Sequence, residues 1–137
     1  ISYLAKKYKG AMPSREIGIH AHNNQQLAFA NTIEAIIQGI NYLDGTIFGI
    51  GRAAGNCPLE FLLGFLKNPK FNIRPILNVL GRDFVKLKEE IEWGYTIPYM
   101  ITGILDLHPR AGMKLRNSED KDEYLGFYEK LTSEANV

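Results

Sequence analysis

A chain of 137 residues allows one domain with a modest core. With 45% apolar and 23% charged residues it has the make-up of a globular protein, and 16 basic against 15 acidic residues leave a net charge of +1, which points to neither nucleic acid nor an anionic membrane as a partner. No apolar run is long enough to span a bilayer and no signal peptide is visible, so no membrane partner is predicted. The single cysteine, Cys57, excludes an internal disulfide framework and fits a reducing compartment, most simply the cytoplasm. The chain begins at Ile1 rather than Met, which predicts a cut or trimmed sequence.

In chain order, residues 1–9 read as the last turns of a basic helix, broken by Gly10 and Pro13. Residues 16–22 alternate, with Ile17, Ile19 and Ala21 on one face and Gly18, His20 and His22 on the other, the period of a strand. Asn23 or Asn24 can cap the helix that follows, in which Phe29, Ile33, Ile36, Ile37 and Ile40 form one apolar stripe up to Gly39. A second strand is predicted over 42–48, with Asp44, Thr46 and Phe48 on one face. A glycine-rich turn follows at 49–56, and then a helix with Pro58 in its first turn.

Strand, helix, strand, helix with short connections predicts an α/β arrangement with parallel strands. After Asn68 the pattern turns helical. Segment 73–93 has Gly81 as a possible break and Gly94 as its stop, 97–108 is an apolar helix, HPRAG is a turn, and 119–134 is an amphipathic helix. The boundaries are therefore 1–68 for two β/α units and 69–137 for a helical region. Two parallel strands do not make a stable sheet alone. The rest of the fold is expected before Ile1 or from another chain, leaving Phe48 and the glycine-rich loop exposed in this one.

His20-Ala21-His22 on a strand puts two imidazoles on one face, roughly 6–7 Å apart at the backbone, which suits two neighbouring ligands of one metal ion. The alternative is two histidines satisfied by packing or solvent. They stand at the end of a strand that precedes a helix, and that end carries the active site in parallel barrels. Gly18 lies beneath them on the same face and leaves room. The turn Gly49-Ile50-Gly51-Arg52-Ala53-Ala54-Gly55-Asn56 permits close backbone approach to a ligand. Asn56 can cap the next helix or lend its carboxamide oxygen as a third ligand.

Together, IGIHAHNNQQLAFANTIEAIIQG and LDGTIFGIGRAAGNCPLE resemble the metal-dependent aldolase and acyltransferase superfamily known as DRE-TIM metallolyases. That superfamily includes hydroxymethylglutaryl-CoA lyase-like and 4-hydroxy-2-oxovalerate aldolase-like branches. The resemblance covers residues 16–60. Trp93-Gly94-Tyr95 and the helix after it resemble the C-terminal region of the hydroxyoxovalerate aldolase branch. The implied fold is the C-terminal portion of a (β/α)8 TIM barrel, its last two parallel strands with their helices, followed by a helical section. A whole barrel needs about 250 residues.

The resemblance implies His20, His22 and Asn56 as ligands of a divalent metal, Mg²⁺ or Mn²⁺ first and Zn²⁺ as a further option. It implies a small-molecule 2-oxo acid substrate, cleaved or formed at a carbon–carbon bond through a pyruvate enolate. The family's Arg-Asp motif, from the first strand of the barrel, is not among these residues. Arg82-Asp83 lies in a late helical segment and is a poor substitute, so this chain alone is expected to be inactive.

Tyr95 aligns with a tyrosine that reaches the site, with packing as its alternative. Arg52 is read either as a substrate-carboxylate ligand or as a salt bridge closing the loop. Asp44 and Thr46 are expected to support the site, Cys57 to be a small buried residue rather than a nucleophile, and His108 to end a helix. Two further readings are a Claisen-type acyltransferase of the isopropylmalate or homocitrate synthase kind, and a non-catalytic truncated barrel. The expected partners are a second copy of the chain or the missing N-terminal barrel portion.

Overall fold

The computed structural model describes residues 1–135. Helix α1 (Ser2–Ala11) leads to strand β1 (Gly18–His20), helix α2 (Ala28–Ile37) and strand β2 (Tyr42–Asp44). The strands pair in parallel, with Gly18 opposite Tyr42, Ile19 opposite Leu43 and His20 opposite Asp44. A short 3-10 turn at Ile47–Gly49 and the glycine-rich loop lead to α3 (Leu59–Leu66). Then come α4 (Arg74–Val79), a π-helical stretch at Leu80–Phe84, α5 (Val85–Glu90), α6 (Ile97–Ile104), α7 (Arg110–Arg116) and α8 (Tyr124–Ala135). Among the described residues no helix is long and apolar enough to cross a membrane.

The β1–α2–β2 unit is the expected parallel arrangement, and alternation sets its faces. Ile17 and Ile19 pack on Ala5, Ala35 and Ile40, between α1 and α2. Toward the N-terminal end of α2, Ile19, Leu43, Phe29 and Ile33 pack around Ala21, Ala28, Cys57 and Leu62. The buried residues in these clusters are mostly small, which lets α2 and α3 lie close to the strands. Leu62 is 3% exposed, and burying such a side chain is worth about 1.5–3 kcal/mol. The accessible surface is 9452 Å², against roughly 7,200 Å² expected for a compact monomer of this mass. Phe61, Phe65, Ile37 and Tyr42 contribute to that excess.

Several elements differ from their predicted limits. Strand β2 ends at Asp44, because Thr46 turns away to pair with Pro58 and with the backbone of Cys57. Helix α2 starts four residues later than the asparagines suggest. Asn23 still serves it, its Oδ1 accepting the Ala28 N–H at 3.1 Å across an intervening turn. Pro58 is the N-cap of α3 rather than inside its first turn, and Asn56 does not cap that helix. The helix expected over 73–93 runs through Gly81 as a π-helical segment and ends near Glu90. The HPRAG turn is already opening α7, with the His108 Nδ1 accepting the Arg110 N–H at 3.2 Å, and the last helix starts at Tyr124.

The largest correction concerns the glycine-rich loop. Phe48 was expected to be exposed with the loop, yet it is half-buried, and Gly49, Ala53, Ala54 and Gly55 are buried. The helical section folds back over them. Ala53 and Ala54 pack against Tyr99 and Met113, and Trp93 covers Phe48. The Tyr99 hydroxyl accepts from Arg116 at 2.6 Å, and Arg116 also pairs with Glu92, which ties α7 to the segment before α6. The Gln25 amide donates to the Gly103 carbonyl at 2.6 Å, joining α6 to the turn after β1.

The loop closes on itself at Gly55. Its φ is +77°, and a Cβ there would run into the Gly49 carbonyl oxygen. Gly55→Ala should therefore lower stability by about 2 kcal/mol or more. A urea titration followed by circular dichroism checks this, and an unchanged midpoint would mean the loop closes some other way.

Candidate functional site

The strand ends bring three predicted residues together. Beyond β1, Ala21 O accepts the Cys57 N–H at 3.1 Å, and Asn23 N–H donates to Gly55 O at 2.9 Å. His22 and Asn56 face one another between these two bonds as an antiparallel bridge. They form a pair without direct backbone bonds, the kind in which side chains lie on one side and closest together. His20 precedes His22 by two residues. The two imidazole centroids are 4.9 Å apart, with the rings nearly perpendicular at 85°.

Asp44 orients His20. The His20 Nδ1 lies 2.7 Å from Asp44 Oδ2, across the parallel register that sets the two residues side by side. A carboxylate only accepts, so Nδ1 is the nitrogen that donates, and in the neutral ring this tautomer leaves the Nε2 lone pair for a ligand. This is the usual outer partner of a metal-binding imidazole. Both side chains are partly open to solvent, at 45% and 62%, so a ligand has access to the ring. Gly18, expected to leave room for the histidines, instead accommodates its cross-strand neighbour. A Cβ there would stand 3.0 Å from that of Tyr42.

The loop's own hydrogen bonds orient Asn56. Asn56 N–H donates to Gly49 O at 3.0 Å. The Ile50 carbonyl accepts from both Thr46 Oγ1 at 2.7 Å and Asn56 Nδ2 at 3.1 Å. A carbonyl requires a donor, so the amide nitrogen points at Ile50 and Oδ1 points away from it. That oxygen is buried and, among the described residues, has no hydrogen-bond partner. Gly51 is needed for this packing, since a Cβ there would sit 2.5 Å from Asn56 Nδ2. An orphaned buried acceptor on the residue paired with His22 suits a cation, because it offers a lone pair that the fold leaves unused.

The donors are two imidazoles and one neutral oxygen. Among the described residues no three His, Cys, Asp or Glu side chains converge to hold a metal ion. The set therefore lacks a carboxylate of its own. Arg82-Asp83 does not supply one, for these two pair with each other at 2.6 Å on the exposed π-helical stretch, and Arg82 holds the Asp83 carboxyl below its usual range. His20 and His22 also border a cleft of 340 Å³, walled by α1, Ile17, Ile19 and Ala35. A larger cavity of 960 Å³ lies between α7 and α8 and holds none of these residues.

Arg52 belongs to the glycine-rich loop, and Tyr95 follows the residue that contacts it. Arg52 is exposed and, among the described residues, makes no ion pair, so it does not close the loop as a salt bridge. Tyr95 is 59% exposed, next to Gly94, whose N–H donates to the Ala53 carbonyl at 3.1 Å. The packing alternative for Tyr95 is thereby disfavoured. Trp93 enters the sequence reading only through the Trp93-Gly94-Tyr95 resemblance, with no role at the loop, and Glu60 has no role there. Only the long-range fold brings them to the loop, although the lone tryptophan before Gly94 was a visible signal for the first.

Residues 1–80, more than half of the chain, match the HMGL-like family model, and the chain belongs to that family. It is 39% identical over 88 residues to the 4-hydroxy-2-oxovalerate aldolase of Thermus thermophilus, covering 64% of this chain and 23% of that protein. It is 51% identical over 51 residues to the oxaloacetate decarboxylase of Mycobacterium tuberculosis, covering 37% of this chain and 15% of the relative. The chain thus matches less than a quarter of the length of these curated relatives. Among solved structures it is similar to the N-terminal domain of a Bacteroides vulgatus protein assigned as an aldolase. The TM-score is 0.69 at 32% identity, covering 85% of this chain and 41% of that one.

Cys57 takes no part in the site. It is fully buried beneath the loop, and burial pushes its thiol above the usual value, which disfavours the thiolate. The folded chain should resist alkylation by iodoacetamide at pH 8, and the denatured chain should react quickly. Mass spectrometry of timed samples checks this, and equal rates in both states would contradict the burial.

Proposed function

We propose that this chain is the C-terminal portion of a divalent-metal-dependent aldolase or lyase barrel, acting on a 2-oxo acid. Residues 1–68 would supply its last two β/α units and 69–137 its helical section. The reading is supported by the 4.9 Å approach of the His20 and His22 rings, the Asp44 contact on His20 and the pairing of His22 with Asn56. The family and the named relatives support the class of reaction. Their two substrate names share one chemistry. Each is a 2-oxo acid in which breaking the bond between the third and fourth carbons leaves pyruvate.

In this reading His20 Nε2, His22 and Asn56 Oδ1 hold the ion. Mg²⁺ or Mn²⁺ suits the oxygen-rich substrate and Zn²⁺ suits the imidazoles. A bound ion would act as a Lewis acid on the 2-oxo group as the carbon–carbon bond breaks. Asp44 fixes the tautomer and angle of His20 and balances charge from outside the ligand shell. Arg52, exposed and without an ion pair among the described residues, would meet the substrate carboxylate. Tyr95 would hydrogen-bond the substrate's 4-hydroxyl oxygen, which stays on its carbon and becomes the aldehyde carbonyl. The carboxylate absent from the donor set would come from elsewhere in the barrel, and the excess accessible surface is what a partner strand and its helices would cover.

Titration with Mn²⁺, Mg²⁺ and Zn²⁺ by calorimetry tests the donor set. Binding by the chain alone should be weak, and His20→Ala and His22→Ala should each reduce it by roughly 10-fold or more. A longer protein carrying this segment and an Arg-Asp motif should release pyruvate from a 4-hydroxy-2-oxo acid only with a divalent ion present. Full turnover in excess chelator, or unaltered metal binding in both histidine variants, would contradict the reading.

A further inference from the structure

The glycine-rich loop is held from a distant part of the sequence. Trp93, the single tryptophan of the chain, is 3% exposed. Its Nε1–H donates to the Phe48 carbonyl at 2.8 Å, and its ring meets that of Phe48 edge-on at 5.9 Å. Lys88 Nζ stands 4.6 Å from the Phe48 ring centre and 5.6 Å from that of Trp93, capping both rings with a cation.

Phe48 itself is unusual. Its φ is +57° and ψ +23°, the left-handed region that a bulky residue rarely adopts. Such a conformation persists only where the surroundings over-determine it. Here they do, on both sides of the residue. Glu60 Oε2 accepts the Phe48 N–H at 3.0 Å, and Trp93 donates to the Phe48 carbonyl. The next two carbonyls, Gly49 and Ile50, are the ones that hold the Asn56 backbone and carboxamide. The turn at Phe48 therefore determines where Asn56 Oδ1 lies.

We infer that Trp93 is a positioning residue: through the Phe48 carbonyl, its indole N–H holds the 48–56 loop in the conformation that presents the Asn56 carboxamide oxygen beside His22. Its consequence for metal binding rests on the reading of the site given above. Space-filling alone would need only the ring. The N–H directed at a strained carbonyl is what a positioning role requires in addition. The helical section is then part of the site's donor geometry and not merely a cover for it.

W93F keeps an aromatic ring, though a smaller one than the 3%-exposed indole, and removes the donor, and the benzothienyl analogue of Trp93 removes the donor alone, so the loss common to both variants is that of the N–H. In the metal-free chain, W93F should raise amide hydrogen exchange at Asn56 roughly tenfold, the effect of one lost hydrogen bond, and leave amides inside α6 within about twofold of their original rates. Mn²⁺ affinity, read by electron paramagnetic resonance, should fall roughly tenfold in W93F. In an Asn56→Ala background the same substitution should have no further effect on affinity.

Unchanged exchange at Asn56, or an equal affinity loss with and without Asn56, overturns the inference. If the unsubstituted chain binds no Mn²⁺, the metal reading fails and the exchange result alone decides the positioning role. Should W93F not fold, replacing Trp93 with its benzothienyl analogue gives the same comparison, because sulfur takes the place of the N–H within an unchanged outline.

Discussion

Two backbone hydrogen bonds, Cys57 N–H to Ala21 O and Asn23 N–H to Gly55 O, join the segment after β1 to the end of the glycine-rich loop. Everything at the site follows from that short antiparallel contact. It places His22 opposite Asn56 on the same side, while the parallel register one turn of pleat earlier places His20 against Asp44. A one-residue slip in either pairing would send a donor to the opposite face. The loop must pass close to itself to make the contact, which is why glycines stand at 49, 51 and 55. Each meets Asn56 or another part of the loop at a distance that admits no Cβ without displacement.

The donor arrangement divides the work between two kinds of support. His20 is held by a charged partner in solvent-accessible surroundings, where Asp44 fixes the ring without being buried. Asn56 is held by neutral carbonyls within a packed loop, and its oxygen is left unpaired as a result. Leaving a buried acceptor unpaired costs about 1–3 kcal/mol. The bonds around it, from Thr46, Gly49 and Ile50, hold that arrangement in place. Under the proposed reading, that unpaired oxygen, on the residue paired with His22, is where a ligand would complete the shell.

The strand alternation and the His-x-His spacing were legible in the sequence, because a period of two encodes which side chains share a face. The resemblance of segments 16–60 likewise led to the family that the later comparison shows. The support for Asn56 was not legible. Its partners are carbonyls, which carry no residue signature, and the sequence equally allowed it to cap α3. Covering of the loop by Trp93 joins residues 45 positions apart, and no local pattern reports such a contact. Helix α7 was hidden by Pro109, which reads as a turn residue but here occupies the N-cap and needs no N–H. The helix runs through Gly81 as a π-helical stretch at Leu80–Phe84, where a glycine in the sequence equally allows a break.

The central claim is that one ion can touch His20 Nε2, His22 and Asn56 Oδ1 at once. Anomalous diffraction from crystals of the chain soaked in Mn²⁺, recorded near the manganese absorption edge, tests it most directly. The account predicts a peak in contact with both imidazoles and the Asn56 oxygen, with Asp44 still on the far nitrogen of His20. A map with the two imidazoles on opposite faces of the strand, or with manganese bound only at sites away from Asn56, would contradict it.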